Sequence, residues 1–335
     1  MIKKIELPKK IVIGTGILSK SEEFVNDSNP VVLTGPTTAK LAGNKVAEVL
    51  GCQQIVKEKQ SMKQLKQGLL ESRSDRIFAV GGGSIIDAGK ILAKELGMSL
   101  VSIPTNCAHD GIASPTASVK TKKGVTSVVT NPPAGVLVDL GVIRKSPKRF
   151  ILAGVGDVVG KYSAVKDWQL GAIIKGEYMG DYAGQLSLMT AKVVMNSVME
   201  IKNKTEKGLA TLIEALISSG AAMGIAGSSR PASGSEHKFS HALDWLGSPA
   251  LHGEQVGVGT IVMSYLQGEN WTRVKNALKT AGCPTTAREL GVSKGKMVKA
   301  MMLAKKIRPE RYTIIEHINL NRKIAVKALR DTGVI

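Results

Sequence analysis

The first 140 residues alternate between short β-branched runs and helix-like segments, and this alternation constrains the fold more than any other feature of the chain. The candidate strands are 10–14 (KIVIG), 30–35 (PVVLTG), 76–83 (RIFAVGGG), 99–105 (SLVSIPT) and 135–140 (GVLVDL). Helix-like patterns lie between them at 38–50 and 62–73. Strands that alternate with helices form a parallel sheet with helices on both faces. The sequence therefore predicts an α/β domain over residues 1–150.

The pattern changes after about residue 150. Three long amphipathic segments replace the strands, at 156–171, 182–201 and 206–227. A chain of 335 residues suits two domains, so we expect an all-helical second domain over residues 151–335. Within the first domain, 117–130 departs from the alternation and predicts a hairpin with Lys122, Lys123 and Gly124 near its turn.

Composition limits the class of protein. A hydrophobic content of 43% is enough for packed cores and argues against a disordered chain. No run of 18 or more uncharged apolar residues occurs, and the segment MIKKIELPKK lacks the apolar run of a signal peptide, so we expect no membrane span. The three cysteines are odd in number and widely spaced, which argues against a disulfide framework and fits a reducing cytoplasm.

The net charge of +19 raises the question of an anionic partner. Only 4% of the residues are aromatic, so basic residues interleaved with stacking platforms are missing. The chain also carries no zinc-finger or RNP motif. The densest basic cluster, at 292–312, has helical spacing and predicts a solvated helix face. The charge thus favours steering of small anionic substrates rather than nucleic-acid binding.

A glycine-rich segment at 78–90 (FAVGGGSIIDAGK) places three glycines between an apolar strand and a helix-like run. Such a turn lets a ligand approach the backbone, and the first turn of the helix offers unpaired N–H groups and the positive end of its dipole. We expect Ser84 to cap this helix and Asp87 to lie in its first turn. The pattern matches neither GxGxxG nor a Walker A loop. A phosphate-binding loop and a simple tight turn both remain open.

Three of the five histidines, His237, His241 and His252, lie close together in the sequence. If 235–245 is helical, His237 and His241 share one face, and His252 begins another helix-like run. Asp157, in a glycine-flanked apolar segment, is a candidate for a further ligand. Catalytic zinc typically has three protein ligands and an open position. A metal site and a set of capping and core histidines are both consistent with this spacing.

Together these motifs resemble the sn-glycerol-1-phosphate dehydrogenases, a family within the superfamily of glycerol dehydrogenase, iron-type alcohol dehydrogenases and dehydroquinate synthase. The resemblance covers nearly the whole chain. Its motifs are GGGSIIDAGK (81–90), PTNCAHDGIASP (104–115), GVGDVVGKYSAVKDW (154–168), SRPASGSEHKFSHALD (229–244) and LHGEQVGVGT (251–260). The combination of the Arg-Pro-Ala-Ser-Gly-Ser-Glu-His run with His-Asp-Gly separates this family from plain glycerol dehydrogenases.

The resemblance implies a dehydroquinate synthase-like fold, with a nucleotide-binding α/β domain followed by a helical domain that binds metal and substrate. The implied reaction is the reversible, NAD(P)H-dependent reduction of dihydroxyacetone phosphate to sn-glycerol 1-phosphate, which supplies the backbone of archaeal ether phospholipids. The implied cofactors are NADPH or NADH and one Zn²⁺ per chain. We expect a cytoplasmic homo-oligomer, a dimer or larger, without a nucleic-acid partner.

Residue by residue, the resemblance implies that Asp157, His237 and His252 bind the zinc. It also implies that Asp110, Asp157 and His241 contact the substrate and take catalytic roles, with His241 donating or relaying a proton. The implied cofactor-binding residues are Gly83, Ser84, Ile85, Ile86, Asp87, Thr105, Asn106, Cys107, Ala108 and Ser114.

Two anionic groups of the reactants need partners. The substrate phosphate requires cations or N–H groups, and Arg230, Lys161 and Lys238 lie beside the metal motifs. Three alternatives to this reaction stay open: a phosphate-blind glycerol dehydrogenase, a lyase of the dehydroquinate synthase type and a nucleic-acid-binding protein.

The second anionic group is the 2′-phosphate of NADPH. Strict NAD enzymes usually place an acid on the ribose 2′-OH after the second strand. No Asp or Glu occurs at 34–44, where Thr37, Thr38 and Lys40 are candidate partners for that phosphate. The sequence therefore predicts that both cofactors are used, with NADPH at least as good.

Overall fold

A computed structural model describes residues 4–121 and 124–335. The chain forms two compact units. Unit 1 comprises Met1–Val119 and Thr126–Phe150, and unit 2 comprises Lys120–Val125 and Ile151–Ile335.

The strands in the described part of the chain are β1 Lys10–Gly14, β2 Pro30–Thr34, β3 Gln54–Val56, β4 Arg76–Gly81, β5 Ser99–Pro104, β6 Thr116–Thr121, β7 Gly124–Val129 and β8 Gly135–Asp139. Six of them form a parallel sheet at the centre of unit 1, in the order β1-β8-β5-β4-β2-β3. The predicted parallel sheet and its five strands are confirmed. The sequence did not reveal β3, because a three-residue edge strand is too short to show a period of two.

The segment 117–130 forms a separate two-stranded sheet of β6 and β7, as the hairpin pattern predicts. Gly124 begins β7. The other two residues of the expected turn, Lys122 and Lys123, lie outside the described residues.

The helices of unit 1 pack on a sheet whose central strands are buried along most of their length. They are α1 Pro36–Thr38, α2 Asn44–Leu50, α3 Met62–Glu71, α4 Gly83–Leu96 and α5 Leu140–Lys145, with 3-10 turns at Leu18–Phe24 and Asp110–Ile112 and a π turn at Ala39–Gly43. The core includes Val32, Phe78, Val101 and Leu137, which come from four neighbouring strands. Burial of this kind explains why the strands read as continuous apolar runs.

From Ile151 onward unit 2 is helical, and no strand follows Asp139 in the part of the chain that the structure describes. Its helices are α6 Lys148–Lys175, α7 Asp181–Asn196, α8 Val198–Lys202, α9 Glu206–Ala226, α10 Ser235–Trp245, α11 His252–Leu266, α12 Trp271–Ala281, α13 Lys294–Ala304, α14 Ile314–His317 and α15 Arg322–Asp331. Helix α10 packs against α11 and α13, and α11 packs against α12.

Among the described residues, α9 is the one helix with the length and hydropathy of a candidate membrane span. More than half of its apolar window, 56%, is buried inside the protein. Its apolar side chains include Leu212, Leu216 and Met223, which are 3% exposed or less. Core helices meet the same criterion, so α9 is weak evidence for a span.

The basic cluster at 292–312 is only partly the solvated face that its spacing predicts. Helix α13 buries Met297 and Met301. Beyond its end, Arg308 and Arg311 are partly buried and hydrogen-bond to Ser233. The prediction was wrong for these two arginines, because helical periodicity stops at Ala304 and carries no information about the turn that follows.

Lys90 ties the loop after β5 to helix α4. Its ammonium is fully buried, 3.2 Å from Asp87 Oδ1, and donates to the carbonyl oxygens of Gly111 at 2.8 Å and of Thr116. Asp87 Oδ2 in turn accepts from the backbone N–H of Ser118 at 3.1 Å. Burial lowers the pKa of Lys90, although Asp87 opposes this change. The pair therefore holds residues 111–118 in place through buried charge.

Replacing Lys90 by Met should destabilise the protein by about 3–5 kcal/mol, because it leaves a buried carboxylate and several carbonyl oxygens without a cation. The measurement is equilibrium unfolding in urea. The control is Lys63→Met on α3, where the lysine is exposed, and a change within about 0.5 kcal/mol is expected there. Equal stability of the two variants would contradict this role of Lys90.

Candidate active site

Three helices of unit 2 bring one carboxylate and two imidazoles together. Asp157 lies on α6, His237 in the first turns of α10, and His252 is the first residue of α11. One ligand atom from each lies within 4.8 Å of the others. The distance from His237 Nε2 to Asp157 Oδ1 is 3.5 Å, and the ring centroids of His237 and His252 are 5.0 Å apart. This arrangement has the chemistry of a divalent transition-metal site.

Two glycines allow α6 and α11 to approach closely enough for this contact. A Cβ on Gly156 would overlap the carbonyl oxygen of Gly253, and a Cβ on Gly253 would overlap that of Ala153. Gly156 directly precedes Asp157, and Gly253 directly follows His252. The absence of side chains at these two positions therefore puts the carboxylate next to the imidazole.

A buried carboxylate orients His237. Glu236 Oε1 lies 2.7 Å from His237 Nδ1 and also accepts from the backbone N–H of Gly234 at 2.6 Å. Glu236 Oε2 accepts from the Ser163 hydroxyl at 2.6 Å. Because the carboxylate accepts, Nδ1 carries the proton, and the lone pair of Nε2 points toward Asp157. Metal-binding histidines usually have such an acceptor behind them.

A chain of polar side chains assigns the tautomer of His252. Gln255 Nε2 donates to Asp244 Oδ1 at 3.1 Å and to the Ala250 carbonyl oxygen at 3.0 Å, so Gln255 Oε1 is an acceptor. The Ser240 hydroxyl must then donate to Gln255 Oε1, at 2.9 Å, and accept from His252 Nδ1, at 3.0 Å. His252 is therefore also protonated at Nδ1, which leaves Nε2 as the ring nitrogen with a lone pair for a metal.

Lys161 lies one turn after Asp157 on α6 and is fully buried. Its ammonium is 3.1 Å from Asp157 Oδ1 and 2.9 Å from the Asp157 carbonyl oxygen. Burial opposes ionisation of Asp157, but Lys161 and His237 outweigh it and hold the pKa of this carboxyl well below its usual range. Asp157 is therefore a carboxylate at neutral pH, the form that binds metals.

His241 differs from the other two histidines. Its Nδ1 is buried without a hydrogen-bond partner among the described residues and lies 3.7 Å from Asp244 Oδ2. Burial, with help from Arg308 and His237, lowers its pKa. A second group of possible ligands, His241, Asp244 and His252, overlaps the first. Acceptors lie 2.7 Å and 3.0 Å from Nδ1 of His237 and His252, whereas Asp244 is 3.7 Å from Nδ1 of His241, and this difference favours the first group as the candidate metal site.

The glycine-rich loop lies between β4 and α4. Gly82 is the N-cap residue, and no side chain caps the helix. Ser84 therefore does not cap it, and Asp87 lies beyond its first turn, so both of these predictions were wrong. The cause is the position of the helix start. Gly82 is the N-cap residue and Gly83 is the first helical residue, so every later residue lies further into the helix than the sequence suggests. The helix N-terminus remains open to an anion.

The loop after β5 packs against these glycines. The N–H of Thr105 donates to the Gly81 carbonyl oxygen at 3.0 Å. A Cβ on Gly82 would collide with Asn106, and a Cβ on Gly83 would overlap the His109 ring. The cofactor candidates at 83–87 and 105–108 thus lie side by side at the ends of adjacent strands, which is where α/β sheets bind ligands. The sequence did not single out His109 as a contact of this turn.

The remaining candidates differ in accessibility. Cys107 and Ser114 are fully buried, and Asp110 begins the 3-10 turn after the β5 loop. Asp110 belongs to unit 1, whereas Asp157 and His241 belong to unit 2.

After β2, the Thr38 hydroxyl is bound to Thr34 Oγ1 at 2.8 Å and to the Gly35 N–H at 2.9 Å, while Thr37 and Lys40 are exposed. Thr38 is therefore already engaged in the turn, and Thr37 and Lys40 are the candidates left for a 2′-phosphate.

The sequence of the chain is similar to those of known dehydrogenases. A sequence model of the family described as iron-containing alcohol dehydrogenase matches residues 12–147. The glycerol-1-phosphate dehydrogenase [NAD(P)+] of Pyrococcus abyssi is 44% identical over 99% of this chain and 99% of its own length. The enzyme of the same name from Thermococcus kodakarensis is also 44% identical, over 99% of this chain and 98% of its own. The chain belongs to the glycerol-1-phosphate dehydrogenase family. It is therefore an oxidoreductase of the NAD(P)-dependent kind.

Solved structures show the same fold for members of the wider superfamily. A probable glycerol dehydrogenase from Sinorhizobium meliloti 1021 superposes with a TM-score of 0.81 at 19% identity, over 99% of this chain and 98% of that one. Glycerol dehydrogenase from Schizosaccharomyces pombe gives a TM-score of 0.77 at 18% identity, over 100% and 94%. The expected architecture, an α/β domain with a parallel sheet followed by a helical domain, is thereby confirmed.

Proposed function

We propose that the protein catalyses the reversible NAD(P)H-dependent reduction of dihydroxyacetone phosphate to sn-glycerol 1-phosphate. One observation carries this proposal: a chain 44% identical to relatives of that name brings Asp157, His237 and His252 together with their metal-binding atoms oriented. We further propose that the product supplies the backbone of archaeal ether phospholipids, in the cytoplasm, and that the enzyme is a homo-oligomer.

The residues fit a zinc ion. One carboxylate and two imidazoles are a donor set that catalytic zinc uses. The Glu236 carboxylate accepts from Nδ1 of His237, and the Ser240 hydroxyl accepts from Nδ1 of His252. These hydrogen bonds leave Nε2 of each ring able to bind a metal. When bound, zinc supplies a Lewis acid for the carbonyl oxygen, and NAD(P)H supplies the hydride.

The chain itself provides proton transfer and orientation. His241 lies one turn after His237 on the same helix, with ring centroids 6.5 Å apart, and its Nδ1 faces Asp244. Burial lowers its pKa and favours the neutral imidazole, which can relay a proton from water to the product oxygen: one ring nitrogen donates while the other takes a proton from water. The open N-terminus of α4 and the loop at 105–108 would hold the cofactor, and Asp110 would contact the substrate.

The direct test follows NADPH absorbance in purified, zinc-loaded protein with dihydroxyacetone phosphate, and then determines the chirality of the product. The expected result is steady oxidation of NADPH and formation of sn-glycerol 1-phosphate. Glycerol as the preferred substrate in the reverse direction would show a phosphate-blind dehydrogenase instead. Catalysis without net oxidation of the cofactor would indicate a lyase.

The variants His237→Ala and His241→Ala should separate metal binding from proton transfer. His237→Ala should lose zinc and nearly all turnover, because a ligand is missing. His241→Ala should retain zinc and slow reduction by about 10²–10⁴-fold. Zinc content by mass spectrometry, circular dichroism and single-turnover rates check these outcomes. If zinc falls in step with activity in His241→Ala, His241 is a ligand and the assignment is wrong.

Both cofactors should support the reaction, with NADPH at least as good as NADH. Segment 34–44 contains no acid to repel a 2′-phosphate, and Thr37 and Lys40 are exposed next to the end of β2. The measurement is kcat/KM for each cofactor at constant dihydroxyacetone phosphate. Lys40→Gln should lower the NADPH value by several-fold and leave that for NADH nearly unchanged. A hundredfold preference for NADH in the wild type would mean that an acid from another segment reaches the ribose.

A further inference from the structure

Two arginines from the turn after α13 converge on the segment that precedes α10. Arg311 donates through Nη2 to Ser229 Oγ at 3.0 Å and through Nη1 to the Ser233 carbonyl oxygen at 2.8 Å. Arg308 Nη1 donates to Ser233 Oγ at 3.3 Å. Arg230 lies in the same segment. Two guanidinium groups therefore contact residues 229–233, and a third belongs to this segment.

Arg230 and Lys238 support the turn that carries Arg308 and Arg311. Lys238 donates to the Arg311 carbonyl oxygen at 3.1 Å, and Arg230 donates to that of Tyr312 at 2.9 Å. Each also pairs with a carboxylate, Lys238 with Glu316 at 2.8 Å and Arg230 with Glu177 at 2.7 Å. Arg230 and Lys238, which the sequence suggests for the substrate phosphate, thus hold the position of the turn that carries Arg308 and Arg311.

Two guanidinium groups of the cluster, those of Arg311 and Arg230, are not fully paired among the described residues. Among the described residues, Arg311 has no carboxylate within ion-pair distance, and Nε and Nη1 of Arg230 are buried without hydrogen-bond partners. Burial, together with Arg308 and Arg230, lowers the pKa of Arg311 to about 9, although Glu310 and Glu177 oppose this. Buried guanidinium groups that repel one another are costly unless an anion joins them.

The cluster is close to the candidate metal ligands within the same unit. Ser233 lies two residues before α10 begins and four residues before His237. Arg308 is near enough to His241 to influence its ionisation electrostatically. In dihydroxyacetone phosphate, one methylene carbon and one oxygen separate the carbonyl carbon from the phosphorus. A phosphate at the arginines is thus compatible with a carbonyl group near His237 and His241.

We propose that Arg308 and Arg311, with the Ser233 hydroxyl, bind the phosphate of the substrate. This inference rests on the proposed function, since it assumes a phosphorylated substrate at this site. Planar guanidinium groups match the oxygens of a phosphate through paired, charge-assisted hydrogen bonds. The pair of arginines would then select phosphorylated substrates over glycerol and dihydroxyacetone.

The test compares Arg308→Gln, Arg311→Gln and Arg311→Lys with the wild type in the full-length, zinc-loaded protein. Arg322→Gln is the matched control, because Arg322 is exposed on α15. Two quantities are measured: kcat/KM for dihydroxyacetone phosphate and for dihydroxyacetone, and the Kd of inorganic phosphate by calorimetry. Circular dichroism and zinc content establish that each variant is folded.

Each Gln variant should lower kcat/KM for dihydroxyacetone phosphate by roughly 10- to 150-fold, the effect of losing hydrogen bonds to a charged group. The value for dihydroxyacetone should change less than about threefold, which is the scale expected from Arg322→Gln with both substrates. The Kd of inorganic phosphate should rise in parallel. Arg311→Lys keeps the charge and should fall between wild type and Arg311→Gln, so it provides a result even if Arg311→Gln does not fold.

Equal losses with both substrates, or an unchanged Kd of phosphate in the folded variants, would overturn the inference. The proposed function fails separately, if the wild type does not reduce dihydroxyacetone phosphate at all. In that event the phosphate titration still decides whether the arginines form a phosphate site.

Discussion

The contact between α6 and α11 at Gly156 and Gly253 is the constraint on which the site depends. The backbones touch there, so that any side chain at either glycine would overlap a carbonyl oxygen of the other helix. Asp157 and His252 are the immediate neighbours of these glycines. Helix α10 then adds His237 through its packing against α11. The packing of three helices thus brings the candidate ligands together.

Buried polar groups keep the three ligands in one arrangement. Glu236 receives hydrogen bonds from Ser163, Gly234 and the His237 ring, while His252 is held through Ser240. Lys161, which is fully buried, balances the charge of Asp157. Such networks are costly to assemble unless every member is satisfied, and here both oxygens of Glu236 accept hydrogen bonds. The arginine cluster around Ser233 is the contrasting case, because we propose that it binds an anionic group of the substrate.

The sequence predicts much of this, since its patterns are local. Alternating strands and helices gave the parallel sheet, and helical spacing gave α10 with His237 and His241 one turn apart. The sequence does not predict that Ser240 and Gln255 hold the His252 ring, because a serine and a glutamine in a helix have no pattern that distinguishes them from other polar residues. It also misassigned Arg308 and Arg311 to a solvated face, since only the tertiary structure folds the turn after α13 back onto Ser233. The same limit left Ser84 and Asp87 wrongly placed, as three consecutive glycines do not show where a helix begins.

X-ray absorption spectroscopy of the zinc-loaded protein tests the central claim most directly, because it reads the donor atoms around the metal. Ligation by Asp157, His237 and His252 predicts two imidazole nitrogens at about 2.0–2.1 Å, with oxygen donors at about 2.0–2.2 Å completing the shell. In His241→Ala the spectrum should be unchanged. A third imidazole that disappears in His241→Ala, or a sulfur donor at about 2.3 Å, would contradict the account.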